Sequence, residues 1–392
     1  MKKYLISLAL IVLIFSLYTE LSAIPAFARK YSMSCQTCHS PFPKIKPYGD
    51  EFAGNGFVLS DKDAPRYYME TGDSELSLIR DIPIALRMEL YGTYQNRKNE
   101  NNDFKTPYIL KFMSGGALTK DIAYYFYFFF SERGEVAGIE DAFIMFNNLF
   151  ETELDAYIGQ FQVSDPLFKR ELRLTLEDFQ PYKVHPGYSK AGLTYDRGVM
   201  LTYGLESGTD FIFEILTGNG IGTTNEFKNF DTDKYKNFMF RVSQDLTDFA
   251  RIGGFGYYGK EKLEDNNGIQ CLNEINNFGG DLTLTLGDKL EINGQYTYRT
   301  DKQPIPSLLN SDKIKTEGVF TELIYTPSGD ESKWYGVGLF NYVKSDLNEL
   351  NYKSGTLHLG YMLKRNIRLI SEYTYNITKE YGLLSIGIVS AF

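Results

Sequence analysis

The residues in this sequence best equipped for chemistry are Cys35, Cys38 and His39, in the run Cys35-Gln36-Thr37-Cys38-His39. Two thiols at this spacing, with a histidine directly after the second, form the attachment pattern of a c-type haem. The thiols reach two vinyl groups on one edge of a porphyrin, and the neighbouring imidazole reaches the iron as proximal ligand. Two rival chemistries use paired cysteines. Structural zinc needs four ligands, yet the next histidine is His185 and no second cysteine pair follows. A thioredoxin-like pair needs a βαβ setting, which the flanking sequence lacks. Cys271 is the remaining cysteine and reads as an unreactive thiol in an Asn-rich loop; three cysteines make no disulfide framework.

The other face of the iron has several candidates. Met69 is within reach in a linker, and a methionine ligand would raise the reduction potential. His358 lies in Thr356-Leu357-His358-Leu359-Gly360, so it points away from its leucine neighbours if the segment is a strand. His185 could reach the site only if its loop folds inward. Met33 is too near the cysteine pair to cross the haem plane, and Met88 falls on the apolar face of its segment. An open sixth position would shift the function toward small-ligand chemistry. No catalytic triad, P-loop or dinucleotide fingerprint is visible, and with 3 histidines a second metal centre is not expected.

Covalent haem attachment implies export, and the N-terminus agrees. Lys2 and Lys3 precede an apolar run from Leu5 to Leu17, followed by small residues, which is the pattern of a secretory signal peptide. Residues 1–23 are assigned to it, with cleavage after Ala23 or as late as Ala28. The run is shorter than the roughly 20 residues of a spanning helix. Residues 24–78 then form a haem segment whose Phe27, Tyr31, Phe42, Pro43, Phe52 and Phe57 can line a cofactor. A segment this small is marginal as an independent core. It therefore needs a second surface to pack on.

The flanks of the motif resemble the fused monohaem cytochrome–porin family of bacterial outer membranes. The resemblance lies in Ala26-Phe27-Ala28-Arg29-Lys30-Tyr31, in Phe42-Pro43-Lys44-Ile45-Lys46-Pro47-Tyr48-Gly49-Asp50-Glu51-Phe52, and in Gly56-Phe57. It implies one covalent haem c held at or inside a porin-like barrel, passing electrons through the outer membrane. The best-known relatives are iron(II)-oxidising cytochromes, so an Fe(II) oxidase is the enzymatic reading it leaves open. Relatives carry a methionine shortly after the Gly-aromatic pair; this chain has Val58 and Leu59 there.

Residues 79–392 read as an outer-membrane barrel. Mean hydropathy is −0.29, too low for a helical membrane protein, but strands that alternate apolar and polar residues escape hydropathy. Thirty Tyr, 29 Phe and 35 Gly fit aromatic girdles and barrel strands better than a helical enzyme. In Ile82 to Tyr91, Ile82, Ile84, Leu86, Met88 and Leu90 share one face, with Arg87 and Glu89 on the other. Similar segments centre near residues 112, 126, 143, 157, 201, 213, 240, 254, 280, 294, 320, 338, 358, 371 and 387, predicting an antiparallel up-and-down barrel of about 16 strands. Short links alternate with long polar ones near 96–105, 163–195, 219–235, 260–272 and 301–314. That alternation puts the short turns and both barrel ends on the periplasmic side. The link from Val163 to Asp196 is the third outer loop, expected either to fold inward or to lie as a surface lid.

A net charge of −9 without a basic stripe argues against nucleic acid. Three functions remain. The leading one is electron transfer between an extracellular donor or acceptor and a periplasmic carrier such as a soluble cytochrome. The others are a porin with a haem-containing plug or redox gate, and a periplasmic cytochrome anchored by its barrel. The partners are then outer-membrane lipid, the redox substrate and the carrier, and a homo-oligomer is compatible.

Overall fold

The computed structural model describes residues 26–31, 33–59, 72–73, 75–79, 82–96, 102–308 and 313–392. The signal-peptide assignment and Met69 lie outside the described residues. Two short helices, α1 (Ala26–Tyr31) and α2 (Pro47–Gly54), flank a 3-10 turn at Cys35–Thr37. Sixteen strands follow. They are β1 (Ile84–Gln95), β2 (Asp103–Ala117), β3 (Ile122–Glu132), β4 (Gly138–Leu149), β5 (Leu154–Gln162), β6 (Tyr195–Gly204), β7 (Thr209–Leu216) and β8 (Asn237–Thr247). The second half comprises β9 (Ala250–Glu264), β10 (Gln270–Leu286), β11 (Leu290–Asp301), β12 (Ile314–Tyr325), β13 (Trp334–Ser345), β14 (Tyr352–Lys364), β15 (Ile367–Asn376) and β16 (Tyr381–Ala391).

Each strand pairs antiparallel with its sequence neighbours, and β1 closes the sheet on β16 with Arg87 opposite Ala391 and Gln95 opposite Leu383. Closure leaves no strand edge, which lipid would not satisfy with hydrogen bonds. Every centre named from the period-two pattern falls within one of these strands. The faces sort as expected: on β14, Leu357 and Leu359 are exposed on the outside, whereas Ser354, Thr356 and His358 are buried inside. The short links, including 118–121, 248–249 and 365–366, share one end with the start of β1 and the end of β16. The long link 163–194 opens from the other end.

One element departs from the sequence reading. Cys271 is not in a loop but near the start of β10, half-buried, with its thiol 3.2 Å from the Gln303 carbonyl. The link there is only 265–269, because β9 and β10 continue as a paired ribbon. The ribbon carries polar cross-strand contacts such as Lys260–Glu274 at 3.0 Å, so apolar alternation does not mark it.

Among the described residues no helix is long and apolar enough to cross a membrane. The strands do the crossing.

Candidate functional site

The N-terminal segment that carries Cys35, Cys38 and His39 is folded around a tight turn. Gln36 N–H donates to Ser34 Oγ (3.3 Å), and the Cys38 and His39 N–H groups donate to the Cys35 carbonyl at 3.3 and 2.9 Å. This brings Cys35, Cys38 and His39 onto one compact turn. His39 Nδ1 donates to the Pro43 carbonyl at 2.8 Å. A carbonyl can only accept, so this contact selects the Nδ1–H tautomer and leaves the Nε2 lone pair free of that role. Burial also lowers the His39 pKa, which keeps the ring neutral, and burial raises the pKa of both Cys35 and Cys38. Neither thiol is in a disulfide.

Helix α2 packs hard against this turn. A Cβ at Gly49 would stand 2.5 Å from the Cys38 carbonyl oxygen, so only glycine permits the approach. Behind it, Phe27, Phe52 and Phe57 form an aromatic nucleus; Phe27 stacks on Phe57 at 4.8 Å and meets Phe52 edge-on at 5.3 Å. Tyr31 O–H donates to the Phe57 carbonyl at 2.9 Å. Gly56 and Phe57 both take positive φ, turning the Phe57 ring onto Tyr125 of β3 at 5.6 Å.

This small unit sits inside the barrel at its periplasmic end. Phe52 and Phe57 pack on Ala123 and Met145 of the inner wall. Lys44 pairs with Glu291 at 2.6 Å, and Lys46 pairs with Asp330 at 2.5 Å in the β12–β13 turn. A small cleft lies between the segment and the barrel rim. Cys35, His39 and Phe42 line one side of it; Asp330, Ser332, Met362 and Arg365 line the other. Two thiols and an imidazole on one turn, with Cys35 and His39 lining the cleft and Cys38 packed against the aromatic nucleus beside it, can hold a planar group by two covalent bonds and one axial bond.

The loop 163–194 enters the lumen from the opposite end. Its Phe179 stacks on Phe320 of β12 at 4.3 Å, and Gln180 N–H donates to Asn341 Oδ1 on β13 at 3.0 Å. Leu176 and Glu177 N–H groups donate to Glu372 on β15 at 2.7 and 2.8 Å. Within the loop, Arg170 grips Asp178 at 3.1 and 2.5 Å. Burial alone would raise the Asp178 pKa, but Arg173, Arg170 and Lys183 outweigh it and hold the carboxyl below its usual range. Lys111, Arg173 and Arg87 likewise outweigh burial at Glu171 and hold it at about 2. Of the two expectations for this loop, the structure shows the inward fold. The loop meets the N-terminal segment directly, through Lys169 and Asp50 at 2.7 Å.

The sixth-ligand candidates are scattered. His358 points into the lumen as alternation required, but its Nδ1 contacts Glu372 Oε2 at 2.8 Å and its Nε2 contacts Tyr335 Oη at 3.3 Å. It does not line the cleft. His185 sits in the inward loop near Arg299 and Asp301, toward the outer end; burial first and Arg299 second lower its pKa to about 4. Met362 was missed by sequence reasoning. Its inward parity on β14 was readable, but its height above the rim was not.

No family model matches this chain, and no curated protein does. Solved structures do match. OmpT of Vibrio cholerae, as a mutant lacking loop L8, aligns over 80% of this chain and 99% of its own, with 12% identity and a TM-score of 0.55. An anion-selective porin from Comamonas acidovorans covers the same shares with 10% identity and a TM-score of 0.56. Salmonella typhi OmpF, solved with daunomycin, covers 79% of this chain and 97% of its own at 11% identity and a TM-score of 0.55. The chain has the sixteen-stranded porin fold. It is a protein of the bacterial outer membrane.

Proposed function

We propose that this porin-like barrel is plugged from its periplasmic side by a monohaem cytochrome c segment, and that it passes electrons between an extracellular donor or acceptor, Fe(II) among them, and a periplasmic carrier. The observation that carries this reading is His39. Its Nδ1–H is tied to the Pro43 carbonyl beside Cys35 and Cys38, which is the outer contact that orients a metal-ligating imidazole. The two free thiols on one turn, the neutral ring, and the cleft lined by Cys35 and His39 fit a covalent haem c. Bound there, a haem supplies one-electron exchange at its iron. The sequence resemblance to the fused cytochrome–porin family points the same way.

The rest is work for the chain's own residues. Phe27, Phe52 and Phe57 pack against Cys38 from behind, and Lys44 and Lys46 moor the segment to the wall. The site is a cleft at the rim, which suits contact with a soluble carrier. On the outer side, the inward loop narrows the path that a small extracellular reactant would take.

A second reading has its own observation. The Lys169–Asp50 contact joins the constricting loop to the plug, as a porin with a redox-sensitive plug would require.

Right-side-out outer-membrane vesicles carrying the matured protein test these readings. Haem absorption is followed while Fe(II) or a membrane-impermeant oxidant is added outside. Rapid change in intact vesicles is the expected result. Change only after the vesicles are opened leaves a periplasmic cytochrome anchored by its barrel. Solute flux that switches with redox state, without outward electron exchange, favours the gate.

A further inference from the structure

We propose that the sixth ligand of the iron comes from the barrel wall, and that it is the thioether of Met362. This rests on the haem reading above. Met362 is on the inner face of β14, between the outward Tyr361 and Leu363, and it lines the same cleft as Cys35 and His39 from the opposite side. Its neighbours Leu174, Ile324, Tyr335 and Val337 form an apolar bed that would keep a thioether dry.

The backbone at Met362 is also unusual. The β14–β15 register shifts between Met362 and Lys364, while on the other side the Met362 N–H donates to the Lys333 carbonyl at 2.7 Å and so keeps the β13–β14 register. A bulge at a barrel rim re-aims a side chain. Here it falls on the barrel-side cleft residue, among those described, whose side chain is a soft, neutral donor suited to haem iron. The remaining polar groups of the barrel side are committed otherwise: Asp330 to Lys46, Ser332 Oγ to the Ser328 N–H at 2.8 Å, and Arg365 to Glu331 at 3.0 Å. His358 has both ring nitrogens engaged.

The consequence is a division of labour across the fold. The plug supplies the thioether bonds and His39; the barrel closes the coordination sphere. Seating the plug and setting the iron's potential become one event.

The test uses haem-loaded protein purified from outer membranes. Wild type, Met362→Leu, Met362→His, Met33→Leu and Met69→Leu are compared. Covalent haem per barrel is measured in denatured protein, and axial ligation is read from the far-red ferric charge-transfer band and the shifted methionine methyl resonance of the ferrous form. We expect Met362→Leu to keep one covalent haem and a folded barrel but to lose both signatures, with a lowered reduction potential. Met362→His should restore a six-coordinate low-spin spectrum of bis-imidazole type, which a merely structural role would not produce. Met33→Leu and Met69→Leu should retain the wild-type signatures. Survival of the signatures in Met362→Leu, or their absence from haem-loaded wild type, overturns the ligand assignment alone. Absence of covalent haem from the wild type overturns the haem reading and this assignment together.

Discussion

Replacing Asp178 with asparagine should release the inward loop. Asp178 is buried, with its carboxylate on Arg170 at 2.5 Å and with Arg173 and Lys183 each at 3.9 Å. Asparagine has nearly the same shape, so packing is kept while three cations lose their anion. Breaking a buried pair by removing one partner costs about 3–5 kcal/mol, because the remaining charge is left uncompensated. At about 1.4 kcal/mol per decade, the undocked population should rise roughly 150- to 5,000-fold. Residual hydrogen bonding from Arg170 to the amide places the effect toward the lower end. The assay is trypsin added to intact cells, which cleaves after Arg170, Arg173 or Lys183 only in an undocked loop. While opening and closing are faster than cleavage, the rate follows the open population. A rise of at least a hundredfold is expected for Asp178→Asn, with Asp178→Glu closer to wild type. A rise below tenfold would refute the argument that this ion cluster latches the loop.

Acid should loosen the same loop. His185 has its pKa lowered from 6.5 to about 4, so the undocked state takes a proton first and docking weakens as pH falls through that window. Glu171, held at about 2 against an ordinary 4.5, adds a further loss below pH 4.5. Amide hydrogen exchange across 163–194, corrected for intrinsic pH dependence, should show protection falling on acidification; constant protection from pH 7 to about 3 would contradict the assignment. Gly49→Ala pushes a methyl to within 2.5 Å of the Cys38 carbonyl, an overpacking of about 1–3 kcal/mol that displaces the attachment turn. Haem per barrel should drop, and full loading with an unchanged spectrum would count against the close α2 contact. Signal cleavage should fall after Ala23 rather than Ala28, since Phe27 belongs to the plug nucleus and its ring pairs contribute about 0.5–1.5 kcal/mol each. Mass spectrometry of the mature N-terminus decides between Ile24 and Arg29.

The sequence by itself determined the Cys-x-x-Cys-His run, the barrel class and a strand count of about sixteen. The run was legible because the haem attachment proposed for it needs contiguous residues. The strands were legible because lipid on one side and a polar lumen on the other force a period of two. That pattern weakens where lipid ends, which is why Cys271 and the outer β9–β10 ribbon read as loop. Tertiary structure alone decided heights and partners. Parity says that His358 and Met362 both face inward, yet only strand register and tilt put Met362 in the cleft and His358 against Glu372. Likewise, the charges of the third outer loop were plain in the sequence, but Asp178, Gln180 and Phe179 find Asn341 and Phe320 only after closure brings the far wall opposite. Contacts of such sequence separation leave no local periodicity, because closure of the ring, rather than neighbouring residues, brings them together.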